Sequence, residues 1–325
     1  MNTLLYYFGL ISLLPLQVFY FKTKTFYEDE TRRSERLKGP VIIISNHRSY
    51  FDGMAIVLTF FTKRFHFLAT DFYQDRRKLL KLAVRLAGGI LIEDGGRNLS
   101  YVEACKRVVA KGRPLMIFPE GGYPSTFEPA AFSAGYVMLA ARTGARIVPV
   151  VNDFNYGLFR RLHLLVGNSI ELPCSAGTEL EREKLAEIND DISQRFLMLY
   201  YQLKRRKAAR FSARYELVAP KRGDVIRVPG PAYHHYGVYL SPGEVIQFGH
   251  ALNRPGEDVV VNAVTMKEFC GTHIPEVRTL KRRERRSVRD ADEIEAYARS
   301  CLGQGGYSIS NNNCRDFVDR VTLKI

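Results

Sequence analysis

Three short apolar runs constrain the first half of this chain more than any other feature: residues 41–45, introduced by Gly39-Pro40, residues 115–118 and residues 147–151. They are too short for helices and too apolar for half-exposed strands, so they read as buried strands. Helical stretches at residues 53–61, 100–111 and 130–142 alternate with them, and residues 65–69 add a further strand-like run. The alternation predicts a layered α/β domain, closing after a charged helical segment at residues 179–206.

With 325 residues the chain exceeds the size at which one core usually keeps growing, which favours two domains. The second begins where composition shifts. Lys204, Arg205, Arg206, Lys207 and Arg210 form a basic run, and from Gly223 to Val261 short strand-like pieces with Gly and Pro turns dominate. The expected organisation is a hydrophobic segment at 1–21, an α/β domain at 22–203, a basic linker at 204–215 and a second domain at 216–325. A second basic run at 281–286 reads as a solvated loop.

Residues 1–21 carry no charge, and Lys22 and Lys24 follow at once. The stretch is just long enough to cross a bilayer, while Pro15 would let it lie instead in one leaflet. Neither a charged start nor a small-residue cleavage site is present, so a membrane anchor is the better reading than a signal peptide. The basic residues behind it place the remainder on the cytoplasmic side. The formal charge of +14 fits an anionic membrane surface. Nucleic acid is the other anionic partner considered, but no helix-turn-helix, zinc-finger or stacking-platform signature accompanies the charge, so none is expected. Five widely spaced cysteines without a C-x-x-C pair suit free thiols in a reducing compartment.

Chemistry concentrates first in Ser45-Asn46-His47-Arg48-Ser49-Tyr50-Phe51-Asp52. A carboxylate five residues after a histidine, at a strand end leading into a helix, can hold one ring nitrogen while the other takes a proton. Spacing alone is weak: His66 and Asp71 share it in a strand-like run, where a structural role is expected. Phe118-Pro119-Glu120-Gly121-Gly122 follows the next buried strand, bringing a carboxylate and flexible backbone to the sheet edge where sites in α/β folds form. Val148-Pro149-Val150 belongs to the third strand.

These motifs, in this order, resemble the PlsC-like glycerolipid acyltransferase family, which includes the lysophosphatidic acid acyltransferases, over about residues 20–175. The resemblance implies that His47 is the general base for an acceptor hydroxyl attacking an acyl thioester, and that Asp52 orients it. It also implies that Glu120, Gly121 and Gly122 bind the acceptor, with Arg97 the nearest basic residue to a phosphate-gripping position. Cofactors and metals are not required; acyl-CoA or acyl carrier protein supplies the thioester, and a lysophospholipid is the acceptor. Two departures bear on that acceptor: Glu93 and Asp94 stand near the place of a family arginine, and Ser133 replaces a family lysine.

The second domain has its own pattern. Asn311, Asn312 and Asn313 precede Cys314, placing the thiol in the first turn of a helix, where the positive dipole end lowers its pKa. A lone cysteine is ordinarily an inert core residue. Here Gly223-Asp224-Val225-Ile226, His235-Tyr236-Gly237-Val238-Tyr239-Leu240, Val245-Ile246-Gln247 and the run from Tyr307 to Val318 resemble the lecithin:retinol acyltransferase family over about residues 216–322. That family has a circularly permuted papain-like α+β fold.

The resemblance implies that Cys314 is a nucleophile taking an acyl group from phospholipid, that His235 is its base, and that Gln247 stands where relatives often carry a second histidine. His234 and His250 read first as structural or surface residues. Arg315 and Asp316 depart from the family pattern after the nucleophile. The leading expectation is a membrane-associated two-site phospholipid acyltransferase. The alternatives are a second domain acting as a phospholipase A or papain-like amidase or peptidase, and a non-catalytic membrane scaffold.

Overall fold

The computed structural model describes residues 3–32, 37–70, 84–92, 100–122, 129–208, 213–230, 233–250, 259–282 and 284–325. The chain folds into two compact units, Met1–Tyr200 and Tyr201–Ile325.

The first unit is built on a seven-stranded sheet. Its strands are β1 (Lys24–Tyr27), β2 (Val41–Ser45), β3 (His66–Thr70), β4 (Gly89–Ile92), β5 (Leu115–Ile117), β6 (Arg146–Asn152) and β7 (His163–Val166), in the order β1-β7-β6-β2-β5-β3-β4. The central strands β6, β2, β5, β3 and β4 run parallel, whereas β6 and β7 are antiparallel. Every residue of β2 and β5 is buried, which is why these strands are apolar throughout rather than alternating. Ile44 pairs with both Ile117 and Pro149, so β6, β2 and β5 end side by side at one edge.

The helices of this unit are α1 (Thr3–Ser12), α2 (Tyr50–Thr59), α3 (Ser100–Ala110), α4 (Gly135–Thr143) and α5 (Arg182–Ala208). α2 starts three residues before the apolar pattern predicted, because Ser49 is an extended N-cap and Asp52 completes a capping box with it. α4 begins only at Gly135, several residues later than expected.

The apolar N-terminal stretch is broken in two. α1 is followed by a π-helix at Leu16–Phe21 that ends on Lys22 in the left-handed conformation (φ 45°). Tyr6, Leu10 and Phe21 are buried in the unit's core, while Leu4, Phe8, Ile11, Val18 and Phe19 are exposed. Among the described residues no helix is long and apolar enough to cross a membrane.

The boundary between the units, at Tyr200/Tyr201, falls within α5, so residues 204–208 of the expected basic linker are helical. Arg205, Arg206 and Lys207 occupy the last turn, where cations oppose the negative end of the helix dipole.

The second unit holds an antiparallel six-stranded sheet in the order β12-β11-β10-β9-β13-β8. These strands are β8 (Arg214–Glu216), β9 (Val225–Val228), β10 (His235–Ser241), β11 (Glu244–Gly249), β12 (Val260–Val264) and β13 (Glu276–Thr279). With them come α6 (Met266–Cys270), α7 (Ala291–Ser300) and α8 (Cys314–Thr322). α8 packs on β10 and β11 through Phe317, whose ring lies 6.3 Å from that of Phe248.

Candidate active sites

In the first unit, the carboxyl ends of three adjacent strands build the site, as the parallel arrangement requires. β2 runs into Asn46 and His47, β5 into Phe118 and Glu120, and β6 ends on Asn152. Asn46 and Asn152 exchange three hydrogen bonds in full burial. The Asn46 side-chain amide donates to the Asn152 carbonyl (2.9 Å), the Asn152 backbone donates to Asn46 Oδ1 (2.9 Å), and Asn152 Nδ2 donates to the Asn46 carbonyl (3.1 Å). Buried amides satisfied in this way fix the chain just before His47.

Glu120 holds the same segment from the other side. Its Oε2 accepts the His47 backbone N–H at 2.8 Å, and its Oε1 accepts the Ala130 N–H at 2.9 Å. Burial pushes this carboxyl up to about 7, against the pull of those two bonds. Both oxygens are therefore engaged with backbone.

The His47 ring stacks on Phe118 with centroids 3.8 Å apart and planes 14° from parallel. Its Nδ1 lies 3.3 Å from Asp52 Oδ2, and the carboxylate is wholly buried. The same Oδ2 accepts the backbone N–H groups of Arg48 (2.6 Å) and Ser49 (2.7 Å), closer contacts than that to the ring. The carboxylate is thus fixed by the first turn of α2, and the imidazole rests against it through Nδ1. Ser49 Oγ in turn shares a 2.7 Å hydrogen bond with Tyr156 OH, whose pKa burial raises to about 12.

His47 borders a cavity of about 800 Å³. Its walls are mainly apolar, drawn from Leu10 of α1, Met54 of α2, Leu91 of β4, Met116 of β5 and Leu139 of α4, and Gly121 and Gly122 reach its rim beside His47. Gly121 adopts φ +71°, a conformation that favours glycine. Arg97, Glu93, Asp94 and Asp71 lie outside the described residues. His66 sits on β3 with Nδ1 at 3.1 Å from the Gly88 carbonyl, and burial lowers its pKa to about 4, a neutral structural histidine as its strand context predicted.

In the second unit, Asn313 caps α8: its side chain accepts from Arg315 N (3.0 Å) and Asp316 N (3.1 Å), and Asp316 completes the capping box. Cys314 is consequently the first helical residue, as the asparagine run predicted. The expected lowering of its pKa is reversed, however. The thiol is buried, and desolvation raises its pKa despite donors from the Tyr236 and Arg315 backbone and the Tyr307 hydroxyl. Sγ approaches the carbonyl of His234 at 4.0 Å. Among the described residues no hydrogen bond joins the thiol to His235.

His235 instead bonds Gln247, with Nε2 and Oε1 2.7 Å apart, and burial lowers its pKa. Gln247 Nε2 donates to the His250 carbonyl and to Asn262 Oδ1, both at 3.1 Å. Asn262 was not among the residues that the sequence pattern singled out, although an asparagine inside the apolar strand Val260–Val264 is a visible anomaly. Asn152, a polar residue closing a buried strand, and Tyr307 were missed in the same way.

Comparison with known proteins agrees with this division. Residues 24–153 match the family model Acyltransferase, and residues 218–323 match the family model Lecithin retinol acyltransferase. The chain thus carries a PlsC-like acyltransferase region followed by a lecithin retinol acyltransferase region. A 1-acyl-sn-glycerol-3-phosphate acyltransferase from Chlamydomonas reinhardtii is 26% identical over 118 residues, 34% of this chain and 33% of that protein. The match therefore spans about a third of the algal protein. The 1-acyl-sn-glycerophosphate acyltransferase PlsC from Thermotoga maritima aligns over 62% of this chain and 78% of its own, with 16% identity and a TM-score of 0.42.

Replacing Glu120 with Gln converts one acceptor into an NH2 group facing a backbone N–H, at an expected cost of roughly 1–3 kcal/mol. The cost should depend on pH. In the unfolded chain Glu120 ionises near 4.5, but in the fold only near 7, so wild-type stability falls relative to Glu120→Gln as pH rises between those values. Urea unfolding of both proteins at pH 5 and pH 8 should show a smaller wild-type advantage at pH 8; an equal or larger one contradicts the burial-raised carboxyl.

Proposed function

We propose that the chain is a membrane-associated phospholipid acyltransferase with two acyl-transfer sites. The observation that carries the reading is the His47–Asp52 pair opening onto a largely apolar cavity of about 800 Å³. A cavity of this size and lining suits a fatty acyl chain. In the first unit, the hydroxyl of a lysophospholipid attacks the carbonyl of an acyl thioester carried by CoA or acyl carrier protein. His47 Nε2 takes the hydroxyl proton as the new ester bond forms, and Asp52 stabilises the imidazolium through Nδ1. The C–S bond then breaks, and His47 returns the proton to the leaving thiolate. The name of the algal relative supports a lysophosphatidic acid-like acceptor.

In the second unit, the Cys314 sulfur attacks an ester carbonyl of a phospholipid once His235 has taken its proton. The products are an acyl-thioester on Cys314 and a lysophospholipid, which receives the proton. Transfer to an acceptor hydroxyl or to water regenerates the thiol. The lysophospholipid released is of the class that the first site acylates, so the two reactions together exchange acyl chains.

Lipid mass spectrometry with mixed phospholipids and isotope-labelled acyl-CoA tests both sites. Labelled diacyl product should vanish in His47→Ala alone, and lysolipid or exchanged product in Cys314→Ala alone. Unchanged lipids in both variants, with acyl-CoA and with acyl carrier protein as donor, would overturn the proposal.

In this reading the N-terminal helices lie in one leaflet, with both units on the cytoplasmic side, and the exposure of Leu4, Phe8, Ile11, Val18 and Phe19 supports it. α1 also lines the cavity, which gives an acyl chain a short path from the bilayer. Phe8→Glu/Phe19→Glu should lose flotation with vesicles of phosphatidylcholine and phosphatidylglycerol, whereas undiminished flotation contradicts this placement.

A further inference from the structure

The cross-strand register of the second unit places Gln247 directly opposite Asn262 and opposite Gly237, and Gly249 opposite Val260. Residues two apart share a sheet face, so His235, Gly237, Gln247, Gly249 and Asn262 all lie on one. Glycine is required beside the ring: a Cβ on Gly249 would stand 2.9 Å from His235 Cε1 and 3.4 Å from Nε2. The ring packs on its other neighbour, Phe269, at 5.3 Å between centroids. Space and packing therefore hold the imidazole in place, but neither sets which of its nitrogens carries the proton.

An amide can present either oxygen or NH2 to a histidine, and which one it presents decides the tautomer. Gln247 is not free to choose, because Asn262 Oδ1 and the His250 carbonyl both take its NH2 group. Asn262 Nδ2 donates to two fixed backbone acceptors, the carbonyls of Gly249 (2.7 Å) and Val260 (3.0 Å). Turning the Asn262 amide over would set its oxygen against both carbonyls. Its Oδ1 must therefore face Gln247, and it accepts from Gln247 Nε2 at 3.1 Å; the His250 carbonyl accepts from the same nitrogen. Gln247 Oε1 is thereby turned to His235 Nε2 at 2.7 Å, so Nε2 carries the hydrogen and Nδ1 keeps the lone pair.

We propose that Asn262 is a positioning residue of the thiol site, locking Gln247 and through it the Nε2–H tautomer of His235, so that Nδ1 is the nitrogen that takes the Cys314 proton. The catalytic part rests on the reading of Cys314 and His235 above; the tautomer does not. A site arranged in this way works from a neutral thiol and a neutral imidazole, because two amides in series supply orientation without charge. The raised thiol and lowered imidazole pKa values agree with that resting state. A carboxylate in place of Gln247 would instead favour the imidazolium.

The test uses the full chain labelled with 15N-histidine, with the His235 resonances assigned by their loss in His235→Gln. Long-range 1H–15N spectra distinguish the tautomers without any lipid substrate. Wild type should show Nε2–H at His235 near neutral pH. Asn262→Leu leaves only the His250 carbonyl to hold the Gln247 amide, so an Nδ1–H population should appear, and alkylation of Cys314 by iodoacetamide, followed by peptide mass spectrometry, should slow by about tenfold, the equivalent of one hydrogen bond. In Gln247→Glu/Asn262→Leu a carboxylate accepts Nε2–H in either orientation, so the tautomer should return, with the alkylation profile shifted toward that of a higher-pKa imidazole.

Nδ1–H in the wild type overturns the proposal whether or not Asn262→Leu folds. So does a folded Asn262→Leu with the wild-type tautomer and alkylation rate. If the tautomer and the alkylation rate respond as expected while Cys314→Ala leaves every lipid species unchanged, the Asn262 lock stands and the phospholipid reading of the thiol site fails.

Discussion

The backbone at His47 is gripped from both flanks, and the first site depends on that grip. On one side the reciprocal amide bonds of Asn46 and Asn152 tie the ends of β2 and β6 together; on the other, Glu120 beyond β5 takes the His47 N–H. Three parallel strands ending in register bring these groups within reach of one another, and the apolar character of the strands exists to bury that sheet. With the backbone held, the capping box of α2 sets Asp52, and the imidazole has one place to rest, between Phe118 and the carboxylate. The acid that sits against the His47 ring is therefore also the acid that starts the helix. One residue does both because the helix begins at the turn that follows His47.

The two units reach a comparable end by different electrostatics. His47 has a buried carboxylate at its back, able to stabilise the imidazolium formed when a hydroxyl is deprotonated. His235 is backed by amides, first Gln247 and behind it Asn262, which set direction without offering charge. In the proposed reactions the difference matches the proton to be moved. A hydroxyl is a weak acid and needs a base whose protonated form is stabilised, whereas a thiol yields its proton more readily. Cys314 also shows that a helix N-terminus does not by itself make a thiolate: in a site this buried, the cost of desolvating the anion outweighs the donors gathered around the sulfur.

Much of this architecture was legible in the sequence, because its main signals are local. Residues 41–45, 115–118 and 147–151 became the three central strands nearly residue for residue, and the asparagines before Cys314 correctly announced a helix cap. What escaped were relations between distant residues. Asn46 and Asn152 are separated by 106 positions, and nothing local to Asn152 says that its partner is the residue before His47. The motif around Glu120 was visible, but not its bonds to the His47 and Ala130 backbone, because backbone N–H groups leave no trace in sequence. In the N-terminal stretch Pro15 pointed to the division of the helical path, but composition did not show that Tyr6, Leu10 and Phe21 turn inward. Asn262 was visible as a misfit in an apolar strand, and only the cross-strand register gives it a purpose.

The central claim, that one chain holds two chemically separate acyl-transfer sites, is tested most directly by intact-protein mass spectrometry of His47→Ala after incubation with a phospholipid of defined chain length. The account predicts a mass increase of one acyl chain, mapped to the Cys314 peptide and removed by neutral hydroxylamine as a thioester should be. An adduct on another residue, or lysolipid formed by the protein with no acyl-enzyme detectable under rapid quench, would contradict it.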